Sequence, residues 1–98
     1  MIKMSLELFD AILKKWGFNS QLDVLCEECA ELIIASLHLK RAIHNKIFIQ
    51  RLKNYREELA DVKLMIEQMY YFLSTDEKNI VDNIIKNKKE RLKERLKK

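Results

Sequence analysis

The sequence predicts an all-α fold, and three observations support this. The chain has no proline and a single glycine, Gly17, so the residues that usually interrupt helices are almost missing. Leu, Ile, Lys and Glu dominate, and apolar residues recur at helical spacing. With 98 residues the chain forms one domain at most, over residues 1–98. Because so short a chain buries a modest fraction of its surface, we expect a four-helix bundle completed by oligomerisation.

The first half of the chain predicts two helices separated by the glycine. The first runs from about residue 3 to 15 and ends at Trp16 and Gly17, where glycine suits a helix C-cap. Asn19 or Ser20 then caps a second helix, roughly residues 21 to 44.

The second half predicts two more helices. After a weakly marked break between His44 and Ile47, a third helix covers about residues 48 to 73. Ser74 and Glu77 have the spacing of a capping box. They start a fourth helix, from about residue 76 into the charged tail.

The basic charge of the protein is concentrated at its C-terminus. The net charge is +4, but residues 86–98 hold eight Lys or Arg against two Glu, so this basic tail carries +6 and the rest −2. Such a tail could bind phosphate, nucleic acid or a membrane surface; a solvated helix end explains it equally well. No apolar run approaches the length of a membrane span, and no signal peptide is visible. We therefore expect a cytoplasmic protein that does not bind membranes and for which nucleic acid is a possible partner.

Two cysteines, Cys26 and Cys29, stand three residues apart in the second helix. A zinc site would need a second pair or two well-placed histidines, and His38 and His44 do not form a ligand pattern. A thioredoxin-like motif would need a strand before the helix. We expect both cysteines to be small buried core residues.

Four carboxylates occupy unusual positions on helices two and three. Glu28 and Glu31, and likewise Glu58 and Asp61, lie three residues apart at the border of an apolar stripe. The predicted core stripe of the second helix is Leu22, Leu25, Cys26, Cys29, Leu32, Ile33 and Leu37. That of the third is Phe48, Leu52, Tyr55, Leu59, Val62, Ile66, Met69 and Leu73.

Packing two antiparallel helices through these stripes would bring the four carboxylates together. They would repel one another and be costly to desolvate unless protonated or bound to cations. Oxygen ligands without His or Cys favour Mg²⁺, with Mn²⁺ possible. The alternative is ordinary surface pairing with Lys or Arg, but basic partners at the right spacing are missing. Two such pairs favour a metal site.

At these residues the chain resembles MazG-like all-α nucleoside triphosphate pyrophosphohydrolases. The family pattern E-E-x-x-E, a spacer, then E-x-x-D reads here as Glu27 to Glu31, residues 32–57, then Glu58 to Asp61. The flanks, WGFNSQLDVLCEECAEL and EELADVKLMIEQM, also fit. The resemblance covers residues 16 to about 72 and extends weakly into KNKKERL.

The resemblance implies Mg²⁺-dependent hydrolysis of a nucleotide between its α- and β-phosphates, giving a monophosphate and pyrophosphate, in a house-cleaning role. By position, Glu28, Glu31, Glu58 and Asp61 would hold the metal. Glu27 would orient water or a neighbouring group, or do nothing; the general base stays unassigned. Members of the family are commonly homodimers or homotetramers. Phosphoribosyl-ATP pyrophosphatase activity is less favoured, because Val62-Lys63-Leu64 replaces the usual Tyr-His continuation of the second motif.

The resemblance also suggests residues that bind the nucleotide. Trp16 and Gln21 would face the base, although Trp16 could instead cap the core. Residues of the second and last helices would face phosphates: Lys40, Arg41, Asn87, Lys88 and Arg91.

Two alternatives remain open. One is a non-catalytic helical module whose basic tail binds nucleic acid or a protein. The other is a family-like fold that binds nucleotide as a sensor and turns it over slowly.

Overall fold

Four α-helices make up the protein. The computed structural model describes the backbone of residues 2–98 and the side chains of residues 6–98; Met1, the first residue of the predicted domain, lies outside them. Within this range there is no strand, which confirms the all-α prediction and the four helices. The helices are α1 (Ile2–Trp16), α2 (Phe18–Ala42), α3 (Phe48–Tyr71) and α4 (Thr75–Leu96).

Gly17 alone separates α1 from α2. Its amide donates to the Leu13 carbonyl at 3.0 Å, and its own carbonyl accepts from the Gln21 amide at 3.2 Å. Its φ of 84° and ψ of 162° are essentially restricted to glycine. The residue therefore ends α1, as predicted, and also begins α2. The prediction that Asn19 or Ser20 caps α2 is wrong, because the helix already starts at Phe18.

Helices α2 and α3 form an antiparallel pair with a constant register. Gln21 lies opposite Gln68, and their side chains hydrogen-bond at 2.7 Å. Seventeen residues further along α2, and the same distance back along α3, His38 contacts Arg51 at 3.3 Å. The chain reverses between these helices at residues 43–47, where His44 has a φ of 70°. The predicted break at this point is confirmed.

The face through which α2 and α3 pack differs from the prediction. The buried residues are Gln21, Ala35 and Ala42 on α2 and Val62, Met65 and Gln68 on α3. We call this face the seam; it is the carboxylate side of each helix. The predicted core stripes are confirmed for Val62, which is buried, and their other members are half-buried or exposed. The prediction is wrong for the exposed members: Leu22, Cys26, Ile33 and Leu37 of α2, and Leu59 and Ile66 of α3.

Small side chains explain this choice of face. Ala35 and Ala42 are each 1% exposed, and alanine lets two helix backbones approach closely. The longer apolar side chains of the stripe stay exposed, because α1 contacts only one end of the pair and α4 extends away from it. The prediction of buried cysteines is wrong for Cys26, which is exposed, whereas Cys29 is half-buried.

Helix α1 closes one end of the pair through aromatic contacts. Phe9 is buried and its ring centre lies 5.5 Å from that of Tyr71, whose hydroxyl donates to Asp10 at 2.9 Å. Phe18 and Phe72 meet edge-on at 6.3 Å. This small aromatic core fixes the start of α2, which carries the first carboxylates.

Helix α4 extends away from the other three. The Ser74 side chain accepts from the Glu77 amide at 3.2 Å, which confirms the predicted cap. The Tyr70 hydroxyl donates to Asp82 at 2.8 Å, and every residue from 82 to 98 is exposed. In the described part of the chain, no helix combines the length and apolar character that crossing a membrane requires.

Candidate metal centre and adjoining groove

Four carboxylates meet across the seam, and we call them the carboxylate cluster: Glu28, Glu31, Glu58 and Asp61. Oxygens of Glu28, Glu31 and Glu58 lie within 4.8 Å of one another. Asp61 lies opposite Glu28, and Glu58 opposite Glu31, in the same register that pairs Gln21 with Gln68. The i, i+3 spacing on each helix places both carboxylates beside the partner helix, so the antiparallel register alone assembles the cluster.

The charged form of the Glu28 carboxyl is disfavoured at this position. Burial raises the pKa of its carboxyl, and the neighbouring charges of Glu31 and Asp61 raise it further. Its Oε2 atom is shielded from solvent and has no hydrogen-bond partner in the described structure. A buried, unpartnered carboxylate oxygen is costly, so this site favours a proton or a cation.

Glu58 has the same character from the other helix. Burial raises the pKa of its carboxyl, and the adjacent carboxyl of Glu31, followed by the charge of Asp61, raises it further. Its Oε2 atom is likewise shielded and unpartnered among the described residues. One solvent-shielded oxygen therefore comes from each helix.

The donor set fits a hard divalent cation. All four side chains offer only oxygen, which suits Mg²⁺ or Mn²⁺ better than a metal that prefers nitrogen or sulfur. The two unpartnered oxygens would be satisfied by such an ion, and its charge would offset the mutual repulsion that raises the pKa of Glu28 and Glu58.

A surface groove of about 380 Å³ runs from the cluster toward the α2–α3 turn. Its volume is in the range of small-molecule sites. One end contains Glu31 and Glu58, and the other contains His38 and Arg51. The remaining lining residues are Ile34, Ala35, Gln50 and Asn54.

The other residues predicted from sequence lie apart from the cluster. Glu27 is exposed and affects the cluster only as a minor charge that raises the pKa of Glu28. Trp16 is 55% exposed under the Lys15 ammonium, so it does not cap the core of the single chain. Gln21 is buried, and its side-chain oxygen accepts a hydrogen bond from Gln68.

The predicted phosphate-binding residues are exposed. Lys40 and Arg41 lie near the end of α2 and do not line the groove. Asn87, Lys88 and Arg91 are on the exposed part of α4; Lys88 and Arg91 line a shallow hollow with Leu92 and Arg95 of the same helix. Within the described chain, none of these side chains is brought to the cluster.

Sequence reasoning missed the far end of the groove. His38 lies seven residues after Glu31, and Arg51 lies seven residues before Glu58. Seven residues are almost two helical turns, so each falls on the same face as its carboxylate. That spacing was the signal that could have found them.

Comparisons with protein-family models, curated proteins and solved structures give no significant match.

Proposed function

We propose that the protein is a Mg²⁺-dependent nucleotide pyrophosphohydrolase that cleaves a ribo- or deoxyribonucleoside triphosphate to the monophosphate and pyrophosphate. The observation that carries this proposal is the convergence of Glu28, Glu31 and Glu58 from two helices, with Asp61 next to Glu28. Two of their shielded oxygens are unpartnered, and a groove of ligand size lies beside them. The resemblance of residues 27–31 and 58–61 to the MazG-like motif supports the same reaction.

Glu28, Glu31, Glu58 and Asp61 would hold the metal. When bound, Mg²⁺ would neutralise phosphate charge and lower the pKa of a bound water. The carboxylate cluster without a cation repels a nucleotide, so metal and substrate are expected to bind cooperatively. Mn²⁺ is expected to substitute, because it accepts the same oxygen ligands.

The chain's own residues then position the substrate and accept a proton. The phosphates lie in the groove beside Glu31 and Glu58. Water adds to one phosphorus, the bond from that phosphorus to the bridging oxygen breaks, and pyrophosphate leaves. The proton of the water passes to a carboxylate of the cluster.

Glu31→Gln and Asp61→Asn test the site assignment. Each change keeps the side-chain shape and removes one charge, so helix content should persist while turnover falls below detection. The measurement is pyrophosphate release from a panel of canonical and modified nucleoside triphosphates, with Mg²⁺ or with EDTA. Circular dichroism checks the fold of each variant.

The matched control is Glu67→Gln, because Glu67 is an exposed carboxylate of α3 outside the cluster. It should retain wild-type turnover. Full turnover by both Glu31→Gln and Asp61→Asn would disprove the site, and release that EDTA does not stop would disprove the metal requirement.

We infer further that the working protein is a homodimer or homotetramer. The single chain exposes 8331 Å², whereas a folded monomer of this mass exposes roughly 5,900 Å². The excess is of the size buried in permanent homodimers. Part of this extra exposed surface is apolar and lies on α2 and α3, where Ile33 and Ile66 are 61% and 56% exposed. A second copy of the chain has the matching apolar surface.

A second candidate function is nucleic-acid binding by the basic tail. It is favoured by the exposure of all of residues 86–98, whose charge of +6 contrasts with the acidic remainder. Binding to DNA or RNA should weaken steeply with salt and disappear when residues 86–98 are deleted. Filter binding over a salt titration measures this, and unchanged binding by the truncated chain would exclude the tail.

A further inference from the structure

The groove beside the carboxylate cluster contains a positive charge that no anion of the described residues neutralises. Arg51 is partly buried on α3, and it lines the same groove as Glu31 and Glu58. Salt bridges among the described residues are confined to residues 90–97. The guanidinium of Arg51 therefore shares the groove with two carboxylates without forming a salt bridge to either of them.

The guanidinium of Arg51 is instead directed to a histidine. Its Nη1 lies 3.3 Å from Nδ1 of His38. Because arginine has five N–H donors and no acceptor, Nδ1 must accept and the imidazole proton must be on Nε2. One donor of Arg51 is used in this contact, so the others are left for a ligand. His38 thus fixes the guanidinium without neutralising its charge.

The location of this pair relative to the cluster defines what it could bind. His38 and Arg51 lie seven residues, or roughly 10 Å of helix, from Glu31 and Glu58 on the same two helices. The groove thus has an acidic end and a basic end. Between them the lining includes the side-chain amide of Asn54, a neutral donor that does not repel an anion.

We propose that Arg51 binds the phosphates that leave as pyrophosphate, and that His38 is its positioning residue. This inference rests on the proposed function, in which the carboxylates hold the metal. A phosphate chain whose one end is bound through the metal still carries negative charge at its other end. A guanidinium fork matches phosphate oxygens in a bidentate geometry, which lysine cannot reproduce.

Binding of inorganic pyrophosphate, measured by calorimetry in the presence of Mg²⁺, tests this inference without requiring turnover. Arg51→Gln should weaken pyrophosphate binding about 10- to 100-fold, because it removes charge-assisted hydrogen bonds. Arg51→Lys should recover only part of the loss. The matched control is Arg56→Gln, since Arg56 is an exposed arginine of the same helix outside the groove; its pyrophosphate affinity should equal that of wild type.

A titration with Mg²⁺ alone separates the two proposals. Arg51→Gln should bind Mg²⁺ at least as tightly as wild type does, because the positive charge of Arg51 repels a cation. Equal pyrophosphate affinity in wild type and Arg51→Gln would overturn the inference and leave the proposed function standing. Failure of wild type to bind Mg²⁺ or Mn²⁺ would overturn the proposed function, and this inference with it.

Two substitutions of His38 test the positioning role. Asn offers an amide oxygen close to where Nδ1 lies, so His38→Asn should retain most pyrophosphate affinity, whereas His38→Ala should lose part of it. A merely structural role would predict parallel losses of thermal stability and affinity in both variants. Wild-type affinity in His38→Ala would overturn the positioning role.

Discussion

At the scale of single residues, polar contacts between α2 and α3 lie along the seam, and their chemistry changes along its length. An amide pair, Gln21 with Gln68, lies at one end, the carboxylate cluster in the middle and His38 with Arg51 at the other end. The two amides hydrogen-bond to each other, whereas the cluster leaves two carboxylate oxygens without a partner among the described residues. This contrast separates a structural contact from a candidate site on one and the same helix face.

The amide pair is expected to be a specific source of stability. Gln21 and Gln68 are 6% and 3% exposed, so Gln21→Leu strands the amide of its partner and should cost about 1–3 kcal/mol of unfolding free energy. The double change to Leu removes both polar groups and should cost less than the single one. Urea unfolding of both single variants and the double variant measures the coupling; strictly additive losses would contradict it.

Stability of the metal-free protein should rise as the pH falls. The pKa of Glu28 and of Glu58 is raised in the folded state above the ordinary value of 4.5, so folding favours their protonated forms. This contribution is fully present below 4.5 and is lost as the pH rises through the raised folded pKa values. Thermal melts in EDTA from pH 8 down to 4.5 should therefore show an increasing Tm.

The Glu58→Gln variant isolates this effect. Without that charge, the Tm at pH 8 should be higher than in wild type, and its dependence on pH should be shallower. Adding Mg²⁺ should raise the wild-type Tm most at pH 8, because protons compete with the metal at lower pH. Glu67→Gln serves again as the exposed control. A wild-type Tm that falls steadily toward pH 5 would contradict this account. So would a Glu58→Gln variant with the same Tm as wild type at every pH.

At the scale of helices, Gly17 is the position where the backbone conformation itself is decisive. A β-carbon at this position would meet no atom within 4 Å, so replacement costs only backbone strain. At φ 84° and ψ 162°, that strain should reduce the unfolding free energy by about 1–3 kcal/mol in Gly17→Ala. Chemical denaturation measures it, with Ala11→Gly, on the exposed surface of α1, as a control for general helix weakening. Equal stability in Gly17→Ala and wild type would show that α1 and α2 readjust.

The sequence predicted the helices better than their packing. Helix ends follow local signals such as Gly17 and the Ser74 cap, which depend on a few neighbouring residues. Packing depends on which face finds a partner, and only part of the predicted apolar stripe packs inside the chain. The i, i+3 carboxylate pairs were still identified, because the seam runs through the side of the stripe on which they lie.

At the scale of the whole molecule, the chain is more extended than a compact domain of its length. Its radius of gyration is 17.0 Å, against roughly 13 Å for a compact domain of this length. Helix α4 has no buried residue, although it exposes Ile80, Ile84 and Ile85. The apolar surfaces of α2, α3 and α4 together give a second copy of the chain a large area to bury.

Association should therefore depend on the exposed apolar stripe of α2. Ile33 is 61% exposed in the single chain, and Ile33→Glu would place an unpaired charge in an apolar interface, which costs several kcal/mol. Sedimentation velocity should show a dimer or tetramer for wild type and a smaller species for Ile33→Glu at the same concentration. Leu96→Glu is the control, because Leu96 is 87% exposed at the far end of α4. A wild-type protein that stays monomeric yet melts cooperatively would mean that the seam and the small aromatic core are sufficient for a stable fold. An Ile33→Glu variant that assembles like wild type would place the interface on another face.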